Sequence, residues 1–497
     1  MGTESMELFL ENKTILVTGA TGFLAKLFVE KILRVSPKVK RIYLLLRASD
    51  SNSATHRMHT QVIGKEVFRV LREERGKDFD GFIEQKLVAV AGDISYEDLR
   101  IKDVNLRHEM WNNLDIILNS AATTDFYERY DVSLGINTMG VVHMLNFAKK
   151  CLKLKVFLHV STAYVCGEMK GVIEEKAFEI GETLKKNISS KLDFEVENQL
   201  AQQKLYQLEQ QQASQQTITT TMKEFGIQRA RLFGWPNTYV FTKAMGEMCL
   251  EQSKHDVFIN IIRPTMITST YKEPFSGWIE GLRTVDSVII GYGKGKVDCF
   301  LGSPTVVIDM IPADMVVNAI IMAIQAHEKK FSGIIYQVGS SMRNPINMSR
   351  IYNLTFRYFT KHPLINKDDQ KSIRVGKFTL FKHITTFQIF IAIRFILPFK
   401  IWYLINTIAN LGYSKEMHNR NMRKLEGLMY LVQLYKSYVL FEGIFDDTNL
   451  ERLQEDAKEN NNNVKVIGSF NFDPKSIDWE DYLINTHIPG LTTYVYK

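Results

Sequence analysis

The chain has 497 residues, of which 45% are hydrophobic, 24% charged and 11% aromatic, and its formal net charge is +7. This composition excludes a disordered chain, and the length allows two or more domains with ample core. Its four cysteines (Cys151, Cys166, Cys249 and Cys299) lack C-x-x-C spacing, which argues against a disulfide framework or a metal site and indicates a reducing compartment.

The first motif is a glycine turn between a strand and a helix. The β-branched run Thr14–Val17 predicts a buried strand, and apolar periodicity predicts a helix from about Phe23 to Leu33. Gly19 permits a sharp turn, and Gly22 permits close approach of a pyrophosphate to the free N–H groups of the helix. The sequence therefore predicts a dinucleotide site, with these cofactor contacts in the turn: Gly19, Thr21, Gly22, Phe23 and Leu24.

A second buried strand is predicted over Arg41–Leu46, and Arg47 follows it. The residue after this strand commonly contacts the adenosine ribose of a dinucleotide. An acidic residue there suits the 2′-hydroxyl of NAD, whereas an arginine suits a 2′-phosphate. Arg47 therefore favours NADP, and an ordinary surface arginine is the alternative.

Three further strands are predicted over Lys86–Ala91, Leu114–Leu118 and Val156–Val160. Each ends in small or polar residues and alternates with helical sequence, which predicts an α/β fold with a doubly wound parallel Rossmann sheet. The carboxyl ends of such strands form the site. The residues expected there are Asp93 and Ile94 at the adenine ring, Ala121 and Ala122 where the cofactor needs room, and Ser161 and Thr162.

A polar, glutamine-rich stretch follows from about residue 174 to 225. It predicts one or two exposed helices inserted into the domain, and its role is left open.

Tyr239 and Lys243 then occur four residues apart in predicted helical sequence, so they share one helix face. A phenol titrates near pH 10, and we expect a neighbouring ammonium to stabilise the phenolate and lower its pKa. The same ammonium can hold the nicotinamide ribose. The pair predicts proton transfer to or from a carbonyl, with a hydroxyl from Ser161 or Thr162 orienting the substrate.

Pro264 follows another predicted strand, Phe258–Ile262, where a proline rigidifies the loop over the nicotinamide. The strand–helix alternation stops near Asn347. We therefore expect an NADP-binding reductase domain over residues 1–345 and a mainly helical domain over 346–497.

The second domain is basic and aromatic. Arg350–Lys424 holds 14 Lys and Arg against three acidic residues, a local charge of +11 that leaves the remainder at −4. This pattern indicates an anionic partner or a membrane surface, with a solvated helix face as the alternative. The apolar run Phe387–Ile408 contains Arg394 and Pro398, which predicts a buried or interfacial helix pair broken at Pro398 rather than a bilayer span.

Together these motifs resemble the plant alcohol-forming fatty acyl-CoA reductases, extended short-chain dehydrogenase/reductases with a helical C-terminal domain. The resemblance covers essentially the whole chain and depends most on Tyr239–Lys243 within GWPNTYVFTKAMGE and on the tail Asp473–Gly490. It implies reduction of a long-chain acyl-CoA to a primary alcohol through an aldehyde, with two NADPH consumed, for wax, suberin or cutin. It also implies the cytosolic face of the endoplasmic reticulum and peripheral membrane contact. No nucleic-acid partner is expected, and the oligomeric state is left open.

The residues suggest how such a reaction proceeds. Tyr239 with Thr162, or with Ser161, hydrogen-bonds the developing oxyanion, and Tyr239 later protonates the alkoxide. Cys166 is expected to be a small buried residue rather than a nucleophile. Aromatic residues of the second domain are candidates for an acyl tunnel, with ordinary helix packing as the alternative: Phe378, Phe387, Phe390, Phe395, Phe399 and Trp402.

Two other functions fit the same residues. One is a dehydrogenase or epimerase acting on a sterol, another apolar carbonyl or a sugar nucleotide, because the catalytic groups are shared. The apolar, basic second domain argues against sugars. The other is a non-catalytic NADP-binding regulator, which has no need of Tyr239 and Lys243.

Overall fold

The chain is described from a computed structural model, which covers residues 9–186, 191–254, 256–326, 333–366, 370–409, 415–460 and 470–496. The strands in these ranges are β1 (Thr14–Thr18), β2 (Arg41–Leu46), β3 (Leu87–Ala91), β4 (Ile116–Asn119), β5 (Val156–Val160), β6 (Gly171–Ile173), β7 (Ile259–Pro264), β8 (Met266–Thr268), β9 (Cys299–Leu301), β10 (Met310–Pro312), β11 (Ile335–Val338), β12 (Thr379–Phe381) and β13 (Gly443–Phe445).

The α-helices of the described ranges follow the same chain order. Those of the first half are α1 (Phe23–Val35), α2 (Ser51–Arg57), α3 (Arg69–Arg75), α4 (Phe79–Lys86), α5 (Val104–Asn113), α6 (Tyr130–Leu134), α7 (Gly140–Ala148), α8 (Phe194–Gln210), α9 (Gln215–Phe233) and α10 (Thr238–Ser253). Those of the second half are α11 (Thr284–Gly293), α12 (Ala313–Ala326), α13 (Met348–Lys361), α14 (Ile384–Ile391), α15 (Leu397–Ala409), α16 (Lys415–Val439), α17 (Thr448–Asn460), α18 (Trp479–Asp481) and α19 (Ile488–Gly490).

Seven of the described strands form one parallel sheet in the order β11-β7-β5-β4-β1-β2-β3. The interior strand β1 is buried along its whole length, because helices cover both faces of the sheet. The chain runs outward from β1 to β3 and then returns to the other side of β1 at β4. This reversal leaves a crevice at the carboxyl ends of β1 and β4, where ligands of doubly wound sheets bind. The predicted fold class is confirmed.

The glutamine-rich insert contains two helices, α8 and α9, and one face of each is buried. The Tyr130 hydroxyl donates to Glu197 Oε2 at 2.6 Å, and Arg229 Nε donates to the same oxygen at 2.9 Å. Ala201 and Met222 are fully buried beside them. The two helices predicted to be exposed are therefore joined to each other by the Arg229–Glu197 ion pair and held to the core by the Tyr130 hydrogen bond.

The prediction of a helix pair broken at Pro398 is wrong. Residues Ile384 to Ala409 form one continuous helix through α14, a π-helical turn at Ala392–Ile396, and α15. Proline has no N–H to donate, and the wider π turn just before it accommodates this loss without ending the helix. Within the described ranges this is the one helix long and apolar enough to cross a membrane, and little of it is buried.

The last described segment, residues 470–496, returns to the hydrophobic core that also contains β1 and α1. The Tyr482 hydroxyl donates to the Ser269 carbonyl at 2.8 Å and lies 2.7 Å from the Thr268 hydroxyl. His487 Nε2 lies 3.1 Å from Asp286 Oδ1, and all of these groups are buried. The tail therefore closes over the end of β8. The domain boundary near residue 345 stays a prediction.

Candidate active site

A cavity of about 850 Å³ opens at the carboxyl ends of β1, β4 and β5. The fold brings every site residue predicted from the sequence to its wall. The predicted cofactor contacts that line it are Gly19, Thr21, Gly22, Phe23, Leu24, Arg47, Asp93, Ile94, Ala121, Ala122 and Pro264. The predicted catalytic residues that line it are Ser161, Thr162, Tyr239 and Lys243.

The glycine turn has a shape that only glycine supports. Gly19 has a φ of +70°, and a Cβ there would lie 2.8 Å from the backbone of Ala121. The Gly22 N–H donates to the Gly19 carbonyl at 2.8 Å, and α1 begins at the next residue. Gly22, Phe23 and Leu24 line the cavity, and the first turn of α1 carries no acidic side chain that would neutralise the positive end of the helix dipole there. The turn therefore fits the pyrophosphate of a dinucleotide.

Thr18 joins this turn to the end of β4. Its hydroxyl donates to Asn119 Oδ1 at 2.8 Å and accepts from the N–H groups of Ser120 and Ala121 at 3.1 and 3.0 Å. These bonds hold the small residues after β4 against the turn, which keeps the cavity floor close to the helix N-terminus.

The far end of the cavity carries two guanidinium groups. Arg47 follows β2 as predicted, and Arg57 on α2 donates to the Arg47 carbonyl, so the two residues are adjacent. The sequence did not single out Arg57, because an arginine ten residues after Arg47 is only a weak indication of a second cofactor contact. Asp93 accepts from the Ser95 N–H at 2.9 Å, which orients its carboxylate in the loop after β3.

Tyr239 lies near the opposite end of the cavity, on the first turn of α10. Burial raises the pKa of the Tyr239 phenol to about 12, and a hydrogen bond with Thr162 and the positive charge of Arg283 act against that rise. Arg283 lies over the Phe23 ring at 5.0 Å and lines the cavity. The cation that favours the phenolate in this structure is therefore Arg283, a residue that the sequence analysis missed.

Lys243 is almost fully buried one turn beyond Tyr239, and its ammonium points to β5. Lys243 Nζ donates to the Val160 carbonyl at 2.6 Å and lies 3.4 Å from His159 Nε2. Burial lowers the pKa of Lys243 to about 8, and the charge of Glu247 opposes that fall. The expectation that Lys243 lowers the pKa of Tyr239 therefore differs from the structure. Burial of the phenol has the largest effect on the Tyr239 pKa and raises it. The Lys243 ammonium instead bonds to β5, the strand that precedes Thr162.

His159 links this lysine to the rest of the sheet. Its Nδ1 lies 3.2 Å from Asn119 Nδ2, and burial and the charge of Lys243 hold its pKa well below the usual value. The ring is therefore neutral. A buried chain of polar groups runs from Thr18 through Asn119 and His159 to Lys243 and connects the glycine turn to helix α10.

Ser161 and Thr162 are both buried at the end of β5, but they differ in partners. The Thr162 side chain lies beside the Tyr239 phenol and acts to lower its pKa, and the Thr162 hydroxyl donates to the Pro264 carbonyl at 3.4 Å. Ser161 Oγ is buried with no partner among the described residues. The geometry thus favours Thr162 as the partner of Tyr239 and leaves Ser161 as a second hydroxyl on the cavity wall.

The C-terminal region supplies an aromatic wall that the sequence analysis missed. Phe126 stacks on Tyr239 at 5.7 Å and on Tyr438 of α16 at 4.9 Å, and Tyr435 contacts it edge-on at 5.9 Å. The local sequence of α16 does not indicate that these tyrosines line a cavity, because their position depends on which helix packs above Tyr239.

Other candidate chemistry lies away from this cavity. Cys166 does not line it, and burial raises the pKa of its thiol to about 12, so the thiolate that a nucleophile requires is scarce. The residues that the structure describes contain no cluster of three or more His, Cys, Asp or Glu arranged to hold a metal ion.

Two family models match the chain. Both are described as male sterility protein, one of them a nucleotide-binding model matching residues 17–320 and the other matching residues 397–497. The chain is 52% identical to "Probable fatty acyl-CoA reductase 4" of Arabidopsis thaliana over 491 residues, which covers 98% of each chain. It is 50% identical to "Alcohol-forming fatty acyl-CoA reductase" of Simmondsia chinensis over 489 residues, again with 98% of each chain covered.

Solved structures show the same fold at low identity. The terminal R domain of the myxalamid PKS-NRPS pathway matches with a TM-score of 0.58 and 17% identity, over 97% of this chain and 91% of that one. The reductase (R) domain of a non-ribosomal peptide synthetase from Mycobacterium tuberculosis matches with a TM-score of 0.57 and 18% identity, over 99% and 93%. These matches show that the chain shares its fold with reductase domains over nearly its whole length.

Proposed function

The chain belongs to the family of alcohol-forming fatty acyl-CoA reductases, and on this premise we propose that it reduces long-chain or very-long-chain fatty acyl-CoA to a primary alcohol and free CoA, with NADPH and an aldehyde intermediate. The observation that carries this proposal is that Tyr239 and Thr162 line the same cavity as the glycine turn. A carbonyl can therefore meet two hydroxyl donors beside the dinucleotide.

The choice of NADPH is supported by Arg47 and Arg57. Both line the cavity at the end of β2, where the adenosine ribose of a dinucleotide lies in this fold. A guanidinium binds a phosphate with two parallel hydrogen bonds, and two adjacent guanidinium groups suit the 2′-phosphate that distinguishes NADPH from NADH.

In the proposed mechanism, bound NADPH supplies the hydride. Tyr239 and Thr162 donate hydrogen bonds to the substrate oxygen, and they stabilise it most as negative charge develops there. Because its pKa is about 12, Tyr239 holds its proton at neutral pH and acts as an acid. The thioester adduct collapses with loss of the CoA thiolate and leaves the aldehyde. In the second reduction Tyr239 transfers its proton to the alkoxide oxygen and yields the alcohol.

Two cations support these donors. The Arg283 charge stabilises the phenolate that remains after proton transfer, which lowers the barrier to that step. The Lys243 ammonium holds the Val160 carbonyl and thereby positions Ser161 and Thr162, which follow directly. Lys243 is also the residue we propose to hold the nicotinamide ribose, because it lines the cavity one turn from Tyr239.

We further propose that the enzyme associates peripherally with the cytosolic face of the endoplasmic reticulum, where its alcohols enter wax, suberin or cutin. The helix Ile384–Asn406 supports the membrane contact, since its mean hydropathy is 1.6 and only 6% of its apolar window is buried. Its inner face packs through Phe387 and Ile391, and its outer face leaves large aliphatic side chains exposed. Such a helix suits the plane of a membrane interface. The helical region from residue 346 is the proposed membrane and acyl domain.

The test is to express the full chain in a host that makes no fatty alcohols and to profile its lipids, with NADPH oxidation measured on hexadecanoyl- to docosanoyl-CoA. The proposal expects primary alcohols and two NADPH oxidised per alcohol. Tyr239→Phe serves as the inactive control. NADPH binding without turnover of any acyl-CoA would favour a regulatory protein instead.

A further inference from the structure

A second, much smaller cavity adjoins the active site. We call it the apolar slot, and it is lined by Met266, Thr284, Val285, Val288, Phe300, Ile308, Met348, Ile351, Tyr352, Tyr435, Tyr438 and Val439. Four of these residues also line the large cavity: Met266, Thr284, Tyr435 and Tyr438. The slot is therefore a side branch of the active site and begins at the aromatic wall beside Tyr239.

The walls of the slot come from both parts of the chain. Helix α11 forms one side, α13 and α16 form the others, and Phe300 comes from β9, which pairs with β12. Several side chains away from the junction are almost wholly buried: Phe300 is 5% exposed, Met348 3% and Ile351 1%. The lining is thus a dry apolar surface that leads away from the hydroxyls of Tyr239 and Thr162.

The slot is narrow, with about 30 Å³ of free space, so a ligand must displace some wall side chains to enter. Two of the wall residues are methionines, Met266 at the junction and Met348 away from it. Methionine is unbranched and flexible, and it adapts its shape more readily than Leu, Ile or Val. The Thr284 hydroxyl donates weakly to Met266 Sδ at 3.8 Å, a contact that an incoming chain can replace.

We propose that the apolar slot receives the acyl chain, and that Phe300 and Ile351 at its inner end set the chain length that the enzyme accepts. This inference depends on the proposed reduction of acyl-CoA. A thioester carbonyl placed at Tyr239 leaves its hydrocarbon tail at the junction of Met266 and Tyr435, where the slot is the adjoining apolar space. Burial of that tail is favourable in proportion to its apolar area.

The slot replaces the tunnel expected from the sequence. None of the six aromatic residues considered there lines it. Phe378 stacks behind the slot on Tyr352 at 4.2 Å, Phe387 is buried beyond it, and Trp402 is 48% exposed on the outer helix. The expected residues therefore support the walls or face outward rather than contact the acyl chain.

The test is a competition experiment in which the full chain receives an equimolar mixture of dodecanoyl- to docosanoyl-CoA and the alcohols are separated by chain length. Ile351→Trp fills the inner end of the slot, so we expect the ratio of long to short alcohols to fall about tenfold or more. Ile351→Ala lengthens the slot, and we expect a shift toward longer alcohols. The matched control is Phe356→Trp, on the outer side of the same helix α13, where the side chain is 38% exposed.

NADPH affinity, measured by fluorescence, reports folding of each variant without depending on acyl reduction. An unchanged chain-length profile in a variant that binds NADPH normally would overturn the slot as the acyl site, and so would an equal loss at every chain length. If Ile351→Trp does not bind NADPH, the test uses Val288→Ala and Ile351→Ala. Both variants enlarge the slot, so a shift toward longer alcohols supports the slot as the acyl site and an unchanged profile overturns it. If the unmodified chain produces no alcohol, the proposed function itself fails, and the inference fails with it.

Discussion

Asn237 Nδ2 donates a 2.9 Å hydrogen bond to the hydroxyl of Tyr438, a residue 201 positions later in the chain. The same Asn237 caps helix α10, because its Oδ1 accepts from the Val240 N–H at 3.1 Å. One buried side chain thus starts the helix that carries Tyr239 and fixes α16 above it. The C-terminal region is therefore part of the active-site wall rather than a separate attachment.

The Asn237–Tyr438 contact predicts a smaller loss of stability for Tyr438→Phe than for Asn237→Ala. Tyr438→Phe leaves the buried Asn237 amide without its acceptor, and we expect a loss of about 1–3 kcal/mol in the free energy of unfolding. Asn237→Ala also removes the cap of α10, and we expect the free energy of unfolding to fall by about a further 0.5–2 kcal/mol. Urea unfolding of the full chain measures both. Equal stability of Tyr438→Phe and the unmodified chain would show that the bond contributes nothing.

Tyr239→Phe should lower kcat by about a hundredfold or more, because the acid that protonates the alkoxide is lost. Thr162→Ala should lower it as well, since one oxyanion donor is removed. Cys166→Ala is the matched control and should keep full activity, because that thiol does not line the cavity.

NADPH affinity of each variant must stay near that of the unmodified chain for the loss to be assigned to chemistry. Full activity of Tyr239→Phe would remove the phenol from the mechanism.

Lys243 predicts a pH dependence of stability. Its pKa is lowered to about 8 in the folded chain, against about 10.4 in an unfolded one. Between these values the unfolded chain binds the proton and the folded chain does not, so the contribution of Lys243 to the free energy of unfolding rises with pH. Below about pH 8 both states bind the proton, and the contribution is constant.

The measurement is the difference between the unmodified chain and Lys243→Met in urea at several values from pH 7.5 to 10. We expect this difference to shift in favour of the unmodified chain as the pH rises. A flat difference would mean that the ammonium has an ordinary pKa in the folded chain.

Arg47 and Arg57 predict the choice between the two nicotinamide cofactors. Replacing either with alanine removes one charge-assisted contact to a 2′-phosphate, so NADPH affinity should fall roughly tenfold or more. NADH lacks that phosphate, and its affinity should change little. Fluorescence titration with both cofactors tests this, and an equal loss for NADPH and NADH would place the arginines elsewhere on the cofactor.

The outer face of the helix at Ile384–Asn406 predicts membrane binding. Ile393 is 63% exposed and Leu404 is 59% exposed, so glutamate at both positions should alter little of the packing within the fold. It should abolish flotation with vesicles that contain anionic phospholipid, because buried apolar area drives interfacial binding. Leu152→Glu is the control, since Leu152 is 79% exposed on the loop before β5. Flotation of the double variant at the unmodified level would rule out this face.

The sequence by itself determined the Rossmann sheet and the residues on the cavity wall. Gly19, Arg47, Thr162 and Tyr239 each belong to a short motif at the end of a strand or the start of a helix, and the ends of parallel strands meet at one edge. Local patterns of this kind are therefore sufficient to place a site of this class. Burial periodicity also located six of the seven strands of the parallel sheet to within two residues.

Only the tertiary structure decided what surrounds those residues. Lys243 donates to Val160, Arg283 lies beside Tyr239, and Tyr438 closes the wall, because helices and loops distant in sequence pack against one another there. The pKa of Tyr239 follows from the same packing, since burial outweighs the nearby charge. Such contacts depend on the three-dimensional arrangement of α10, α11 and α16, and no motif within one helix specifies its neighbours.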